Sequence, residues 1–320
     1  MDSIKPKNKR KIWLVTILGV LVAIYGAACL YIYLNQVELT FKPRKHVDEE
    51  EREIADSIKA KLEFDAVNLT VGNGDQKGEV HGYWIPAKRK NAPTLLYLHG
   101  QDATIDKNLE HTYMLHDLGY NVMLIDYRGF GKSYGDTQPS EDKVYEDADA
   151  AWQYILDNKE SDPGRIFIFG HSLGGAIAIE LATRKDGSSI DGSREDIAGG
   201  LITVCTFTSI LDMSKLKYNG MLRLLPMRLL LSEHLDSLNK IGDVGIPKLF
   251  IHGEKDEKVP YQMSKALFDE ATGEKHFRLL PDCPHSDFKQ SDLKTMGSEI
   301  RKFVESYSNG PPATSDDARD

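Results

Sequence analysis

The sequence contains few cysteines, and their positions exclude two common kinds of small framework. Cys29, Cys205 and Cys283 are the three cysteines among 320 residues. Their spacings fit neither a zinc site nor a disulfide framework. Cys29 lies inside an apolar segment, which leaves one possible pair in the rest of the chain. We therefore expect free thiols.

Basic residues are outnumbered by acidic ones, and this excludes another class of function. Forty Lys and Arg residues against 49 Asp and Glu residues give a formal net charge of −9. Surfaces that bind nucleic acid are basic, and no basic patch interleaved with aromatic residues follows the first apolar segment. We therefore expect no nucleic-acid partner. No internal repeat is evident.

Long uncharged stretches are also scarce, with one exception near the N-terminus. Trp13 to Leu34 carries no charge, and a helix of that length covers about 30 Å, the thickness of a bilayer's hydrocarbon core. A cleaved signal peptide is the alternative, and Gly26, Ala27 and Ala28 could serve a peptidase. Its apolar core is usually shorter, about 7 to 15 residues, so the pattern favours a retained anchor.

The basic residues that flank this stretch predict its orientation. More of them precede the stretch than follow it, which predicts a cytoplasmic N-terminus and a main domain on the opposite side of the membrane. The residues compared are Lys5, Lys7, Lys9, Arg10 and Lys11 before the stretch and Lys42, Arg44 and Lys45 after it.

Composition divides the chain into five segments. Ile54, Ile58 and Leu62 recur at helical spacing after an acidic run, as in a short amphipathic helix, but a solvated connector is the favoured interpretation. The C-terminal segment lacks apolar residues and is predicted to be disordered. The segments are a basic tail 1–12, a transmembrane anchor 13–34, a charged linker 35–63, a main domain 64–308 and a tail 309–320.

Strand and helix patterns alternate through the main domain. An opening hairpin over 64–85 is followed by apolar runs of strand length and by helical patterns between them. This alternation predicts an α/β fold with parallel βαβ units in one doubly wound, mostly parallel sheet. The buried strands are predicted at 94–98, 122–125, 165–169, 201–205, 247–251 and 276–280.

Residues 206–243 interrupt that alternation. Met221 to Leu231 is strongly apolar, and Pro226 would interrupt a helix there. We expect a short helical cap over the carboxyl edge of the sheet. It either buries one face on the core or acts as a lid that lines an apolar cleft or touches the bilayer.

The stretch from Arg165 to Ile179 carries the strongest chemical signal. An apolar strand meets Gly170-His171-Ser172-Leu173-Gly174 and passes directly into a helical run, which is the context of a nucleophile elbow. We predict Ser172 in a strained turn, with glycines that lack the Cβ atoms that would collide with it. The N-terminal end of the following helix would point at the serine oxygen.

A serine needs a base to take its proton and a carboxylate to orient that base. Ser172, Asp256 and His285 each lie in or next to a loop after a buried strand, and such loops converge at the carboxyl edge of a parallel sheet. We predict these three as the catalytic residues. Alternative acids are Glu254, Glu257 and Asp287, whereas His99, His171 and His252 are interpreted as structural.

An oxyanion formed by serine attack needs two preorganised N–H donors. The backbone N–H of Leu173, directly after the nucleophile, is the first predicted donor. The second is the N–H of Gln101, in the loop after the strand that ends before His99-Gly100. Asp102 follows, and an acid beside an oxyanion hole would weaken anion stabilisation.

Over about 245 residues, 64 to 308, these motifs resemble the α/β-hydrolase family. Together with the apolar N-terminal stretch they are similar to the single-pass serine hydrolases of that family, which include monoacylglycerol and lysophospholipid lipases. The resemblance implies hydrolysis of an ester or thioester through an acyl-enzyme. The motifs are Leu96-Tyr97-Leu98-His99-Gly100, Asp126 to Ser133, Gly170 to Gly175, Ile251-His252-Gly253 with Asp256 and Val259-Pro260, and Pro284-His285.

The sequence therefore predicts a membrane-anchored serine hydrolase that acts on a small-molecule ester, with a lipid-like substrate favoured by the anchor and the cap. A serine peptidase or an acyltransferase would use the same triad. A non-catalytic binding module would be expected to lack a triad residue, and serine at position 172 excludes epoxide or haloacid chemistry, which needs a carboxylate there. We expect no metal or organic cofactor, and the oligomeric state is left open.

Overall fold

Eight strands form one mixed sheet in the order β1-β2-β4-β3-β5-β6-β7-β8. The computed structural model describes residues 7–73, 77–133, 138–159, 161–187, 197–217 and 225–308. The strands are β1 (Asp65–Val71), β2 (Gly78–Ile85), β3 (Thr94–Leu98), β4 (Asn121–Ile125), β5 (Ile166–His171), β6 (Gly200–Val204), β7 (Lys248–Gly253) and β8 (Lys275–Leu280). The predicted opening hairpin is confirmed, because β1 and β2 pair antiparallel.

The sheet is parallel from β4 to β8, and β2 joins it antiparallel to β4. The helices of the main domain are α3 (Leu109–Asp117), α4 (Glu141–Lys159), α5 (Leu173–Arg184), α6 (Ile210–Lys217), α7 (Met227–Leu230), α8 (Ser237–Ile241), α9 (Tyr261–Glu270) and α10 (Gln290–Tyr307). All of them except α10, which follows β8, lie between successive strands from β3 to β8, which is why these strands run parallel.

The central strands are buried on both faces, as their continuous apolar sequences predict. Along β3, Leu96 and Leu98 belong to one core cluster, and Leu95 and Tyr97 to a second. Alternate side chains of a strand point to opposite faces, so the two clusters cover the two faces of the sheet. The predicted α/β-hydrolase fold with a doubly wound sheet is confirmed.

Two helices precede the sheet. α1 (Lys7–Thr40) extends beyond the predicted 13–34 range in both directions, and Lys11–Thr40 is long and apolar enough to cross a membrane. α2 (Glu49–Lys59) begins with a capping box formed by Asp48 and Glu51. Its Ala55 and Ile58 are buried in the second core cluster, so this stretch of the predicted linker packs on the main domain.

The final turns of α1 also pack on the main domain. Ile32 and Gln36 are buried, and Phe41, one residue after the helix, is fully enclosed in the first core cluster. Between β6 and β7 the chain forms α6, α7 and α8, the elements of the predicted cap. Residues 218–224 of that cap and the predicted disordered tail 309–320 lie outside the described residues.

Candidate active site

Ser172 lies between β5 and α5, directly after the strand and directly before the helix. Its φ of 53° and ψ of −115° are unusual for a residue other than glycine, as a strained turn requires. A Cβ added at Gly170 would meet the carbonyl oxygen of Gly174, and one at Gly174 would meet that of Leu98. The nearest atoms therefore belong to β3 and α5 rather than to the serine, so these glycines let α5 approach the strand ends.

The three predicted catalytic side chains lie together at the carboxyl edge of the sheet. His285 Nε2 is 3.1 Å from Ser172 Oγ, and His285 Nδ1 is 2.7 Å from Asp256 Oδ2. Ser172 and His285 are 113 positions apart in the chain. The parallel sheet brings these residues together, because the loops after β5, β7 and β8 emerge at one edge. All three residues are buried.

Asp256 is held by several hydrogen bonds besides the one from His285. Its Oδ1 accepts from the N–H groups of Lys258 and Val259, and its Oδ2 lies 3.1 Å from His252 Nε2. Burial raises the pKa of Asp256, but this is outweighed by the hydrogen bonds from His252 and His285, the charge interaction with His285 and the hydrogen bond from the Val259 N–H. Together they hold the pKa of Asp256 well below its usual range. The carboxylate is thus ionised at neutral pH.

The alternative acids do not share this environment. Glu254, Glu257 and Asp287 are exposed, whereas Asp256 is buried. Solvent therefore surrounds the alternatives, and a hydrogen bond joins Asp256 to His285.

The remaining histidines near the site have structural partners, as predicted. His99 donates from Nδ1 to the Gly100 carbonyl, and His252 Nδ1 lies 2.6 Å from Ser264 Oγ. His171 donates from Nε2 to the carbonyl oxygen of His285 at 3.1 Å. Burial, with the neighbouring His285, lowers the pKa of His171 well below its ordinary value. A neutral His171 therefore positions the backbone of His285.

Cys205 is a site residue that the sequence analysis missed. It directly follows β6, has a φ of 51°, and its thiol sulfur lies within 4.8 Å of a carboxylate oxygen of Asp256. Cys205, Asp256 and His285 each place a potential ligand atom within 4.8 Å of the others. The Asp256 and His285 atoms are already hydrogen-bonded to each other, and the absence of a metal stays a prediction. A residue directly after a buried strand, like the triad residues, was the available signal.

The cysteines agree with the prediction of free thiols. Cys205 and Cys283 are buried, Cys29 is half-buried, and none of the three forms a disulfide.

The two predicted oxyanion donors flank the serine. Leu173 is the first residue of α5, and a Cβ added at Gly100, directly before Gln101, would lie 3.3 Å from Ser172 Cβ. Across the described ranges, the N–H groups of Gln101 and Leu173 donate to no protein acceptor, so both can serve a bound oxyanion. Asp102 is exposed, and solvent screens its carboxylate.

Comparisons with known proteins agree with this architecture. The family described as serine aminopeptidase, S33, matches residues 89–238. The chain is 32% identical over 224 residues to an uncharacterized protein of Mycobacterium tuberculosis, covering 70% of this chain and 74% of the relative. It is 30% identical over 233 residues to the alpha/beta hydrolase domain-containing protein WAV2 of Arabidopsis thaliana, covering 67% and 70% of the two chains.

A solved structure shows the same fold over a larger share of the chain. The esterase Pf2001 of Pyrococcus furiosus superposes with a TM-score of 0.62 at 19% identity, over 83% of this chain and 99% of the esterase. At that identity the likeness concerns the fold, whereas the relatives with 30% identity or more carry the family assignment. With its elbow between β5 and α5 and this ancestry, the chain belongs to the α/β-hydrolase family.

Proposed function

We propose that this protein is a serine hydrolase that cleaves a carboxylic ester through an acyl-enzyme, with Ser172, His285 and Asp256 as its catalytic residues. The observation that carries the proposal is the continuous hydrogen-bonded line from Ser172 Oγ through both ring nitrogens of His285 to Asp256 Oδ2. Such a line is what activates a serine hydroxyl at neutral pH.

Each proton in the proposed reaction has a place in this geometry. Ser172 Oγ attacks the ester carbonyl carbon while its proton passes to His285 Nε2, and the carbonyl oxygen becomes an oxyanion. The ester C–O bond then breaks, and His285 returns the proton to the departing alcohol. Water attacks the acyl-enzyme in the same way and releases the acid. Asp256 orients His285 and stabilises its charged form throughout.

The oxyanion would be stabilised by the backbone rather than by side chains. The N–H groups of Gln101 and Leu173 are the proposed donors, each contributing about 3 kcal/mol to transition-state stabilisation. Leu173 is also the N-terminal residue of α5, where the helix dipole favours negative charge.

A serine aminopeptidase is the second candidate, because the matching family carries that description. An aminopeptidase has to bind the α-ammonium group of its substrate, for which a carboxylate is the natural partner. Glu141 and Glu233 are carboxylates that join α4 to the cap, but both accept hydrogen bonds from backbone N–H groups. Their oxygens hold the cap in place, which favours the ester reading.

The apolar N-terminal helix is proposed to remain as a membrane anchor, with a cytoplasmic N-terminus as the flanking charges predict. Ala28 and Cys29 pack against the cap cluster formed by Ile32, Leu225, Met227 and Leu231. Cleavage at the small residues near position 28 would therefore remove contacts of the folded domain. Retention predicts that the chain resists alkaline carbonate extraction and keeps its N-terminus, which N-terminal sequencing measures.

Labelling by a fluorophosphonate probe tests the proposed chemistry. We expect the full chain to be labelled, Ser172→Ala to lose both labelling and short-chain ester turnover, and the exposed Ser57→Ala control to keep both. Persistent labelling of Ser172→Ala would contradict the proposal. Turnover of 4-nitrophenyl acyl esters against aminoacyl amides separates the esterase from the aminopeptidase.

A further inference from the structure

The cap carries an apolar surface beside the end of α1. In α7, Leu229 is 85% exposed, and Arg228 beside it is exposed as well. Met227 on the same helix is buried, as are Leu225 and Leu231 on either side of it. One side of this short helix therefore packs inward, while the other presents a leucine and an arginine outward.

The inward side of α7 packs against a residue of the uncharged stretch. Ile32 forms one apolar cluster with Leu225, Met227 and Leu231, and it lies two residues before the end of the uncharged run at Leu34. At 1.5 Å of rise per residue, that difference is about 3 Å along the helix. The cap therefore lies level with the last turn of the stretch that would cross the bilayer.

A polar contact also holds the cap at this position along α1. Gln36 Oε1 accepts hydrogen bonds from both the N–H and the hydroxyl of Ser232, at 2.8 and 2.9 Å. Ser232 directly follows the apolar part of the cap, and Gln36 is buried on the face of α1 that meets it. The cap and α1 are thus held together by an apolar contact and by two hydrogen bonds to one buried acceptor.

The cap is also connected to Ser172, through the segment that follows β6. The Thr206 hydroxyl donates to the carbonyl oxygen of Ser172 at 2.8 Å, and the N–H of Ile210 donates to His234 in the cap at 2.9 Å. A short loop therefore connects the serine to the cap. The position of the cap relative to a membrane sets the position of the site.

We propose that α7 docks into the lipid headgroup region, with Leu229 inserted among the acyl chains and Arg228 beside the phosphate groups. This rests on the proposed function, in which α1 is a retained anchor. A leucine facing the acyl boundary and a basic residue at the headgroups are the pattern of interfacial helices. In this arrangement an amphiphilic ester would reach Ser172 from the lipid phase.

Depth-dependent quenching tests this surface. The full chain, with Cys29→Ser to remove the half-buried thiol, is placed in phosphatidylcholine nanodiscs with doxyl-labelled phosphatidylcholine. A nitrobenzoxadiazole probe is attached at Leu229→Cys, at Val20→Cys within α1 or at Glu270→Cys. Glu270 is exposed at the end of α9, where the chain returns to the opposite edge of the sheet. Leu229 and Glu270 are both exposed, so their replacement should leave the fold intact.

We expect doxyl lipid to quench the probes at positions 229 and 20, at least twofold more than the probe at 270. Quenching at 20 with position 229 behaving like position 270 would overturn the cap inference and leave the anchor standing. Quenching at neither position 20 nor 229 would overturn the anchor and the cap inference that depends on it. Disulfide crosslinking through position 229 between two copies, without quenching, would assign the surface to self-association instead. Neither measurement requires hydrolase activity.

Discussion

The carboxyl edge of the sheet, which holds the proposed catalytic residues, and the C-terminal end of α1 are both buried, but they are specified in different ways. At the carboxyl edge, Ser172 and Asp256 lie in short segments that directly follow a strand, each within a recognisable motif. At the end of α1, the decisive contact joins Gln36 to Ser232, 196 positions away. No local motif marks either of those two residues.

The difference shows where local sequence patterns are enough to predict which residues come together. Strand ends converge at the edge of a parallel sheet whatever the intervening loops contain, so motifs there carry three-dimensional information. The end of α1 has no such constraint. Phe41 is fully enclosed in the core cluster that also contains Tyr127 and Phe130, and only the folded chain defines the space for its ring.

The largest effect is expected from Asp256→Asn, which removes the carboxylate next to His285 without enlarging the side chain. We expect kcat to fall about 10⁴-fold, because an asparagine cannot hold His285 in the required tautomer. Glu257→Gln, at an exposed neighbouring carboxylate, should leave kcat within a few-fold. Measuring ester turnover and thermal unfolding of both variants checks this. A large loss of kcat in Glu257→Gln would favour Glu257 as the acid of the triad.

The next largest effect is expected when a glycine of the elbow is replaced by alanine. Gly174→Ala should lower the free energy of unfolding by about 3 kcal/mol, since its Cβ would meet the carbonyl oxygen of Leu98. Gly26→Ala in α1 meets nothing within 4 Å and should change it by no more than about 1 kcal/mol. Thermal unfolding in detergent measures both, and equal shifts would show that the elbow tolerates a Cβ.

A smaller effect is expected at the end of α1. Gln36→Met keeps the length of the side chain but removes the acceptor of two hydrogen bonds, so the free energy of unfolding should fall by about 2 kcal/mol. Asn35→Met is the matched control, because Asn35 is only half-buried and its side chain donates to the Tyr31 carbonyl of its own helix. Equal unfolding temperatures for the two variants would mean that the cap is not held by Gln36.

At neutral pH the smallest effect is expected at His99, which braces the loop before Gln101 and whose contribution to stability depends on pH. Burial lowers its pKa to about 4, whereas an unfolded histidine titrates near 6.5. The neutral form therefore contributes stability above about pH 6.5 that is lost as pH falls toward 4, at up to about 1.4 kcal/mol per pH unit. His99→Asn should show a shallower decline in unfolding temperature between pH 6.5 and 4. An unchanged slope would assign the acid sensitivity to other groups.

Much of the fold could be predicted because its strands are buried on both faces. Runs such as Thr94–Leu98 are continuously apolar, and turn residues separate them, so the βαβ alternation is visible without coordinates. The positions of Ser172, Asp256 and His285 follow from the same pattern, because each comes after such a run. Their roles in catalysis stay proposals that the variants above test.

The partners of those residues could not be predicted in the same way. The Cys205 thiol lies within 4.8 Å of the Asp256 carboxylate because β6 and β7 are neighbours in the sheet, and strand order depends on the packing of the whole domain. The need for glycines at the elbow could be predicted. The atoms that a Cβ at these positions would meet, which belong to β3 and α5, could not. Sequence patterns identified the residues, and packing identified what they touch.

By itself, the sequence determined which segments are strands, where the elbow lies, and that one N-terminal helix could cross a membrane. These follow from the periodicity and length of apolar runs, which are local properties of the chain. Only the tertiary structure decided that Ile32 and Gln36 meet the cap and that Phe41 enters the core. Such contacts depend on shape and hydrogen-bond complementarity between distant segments, and a linear pattern does not encode them.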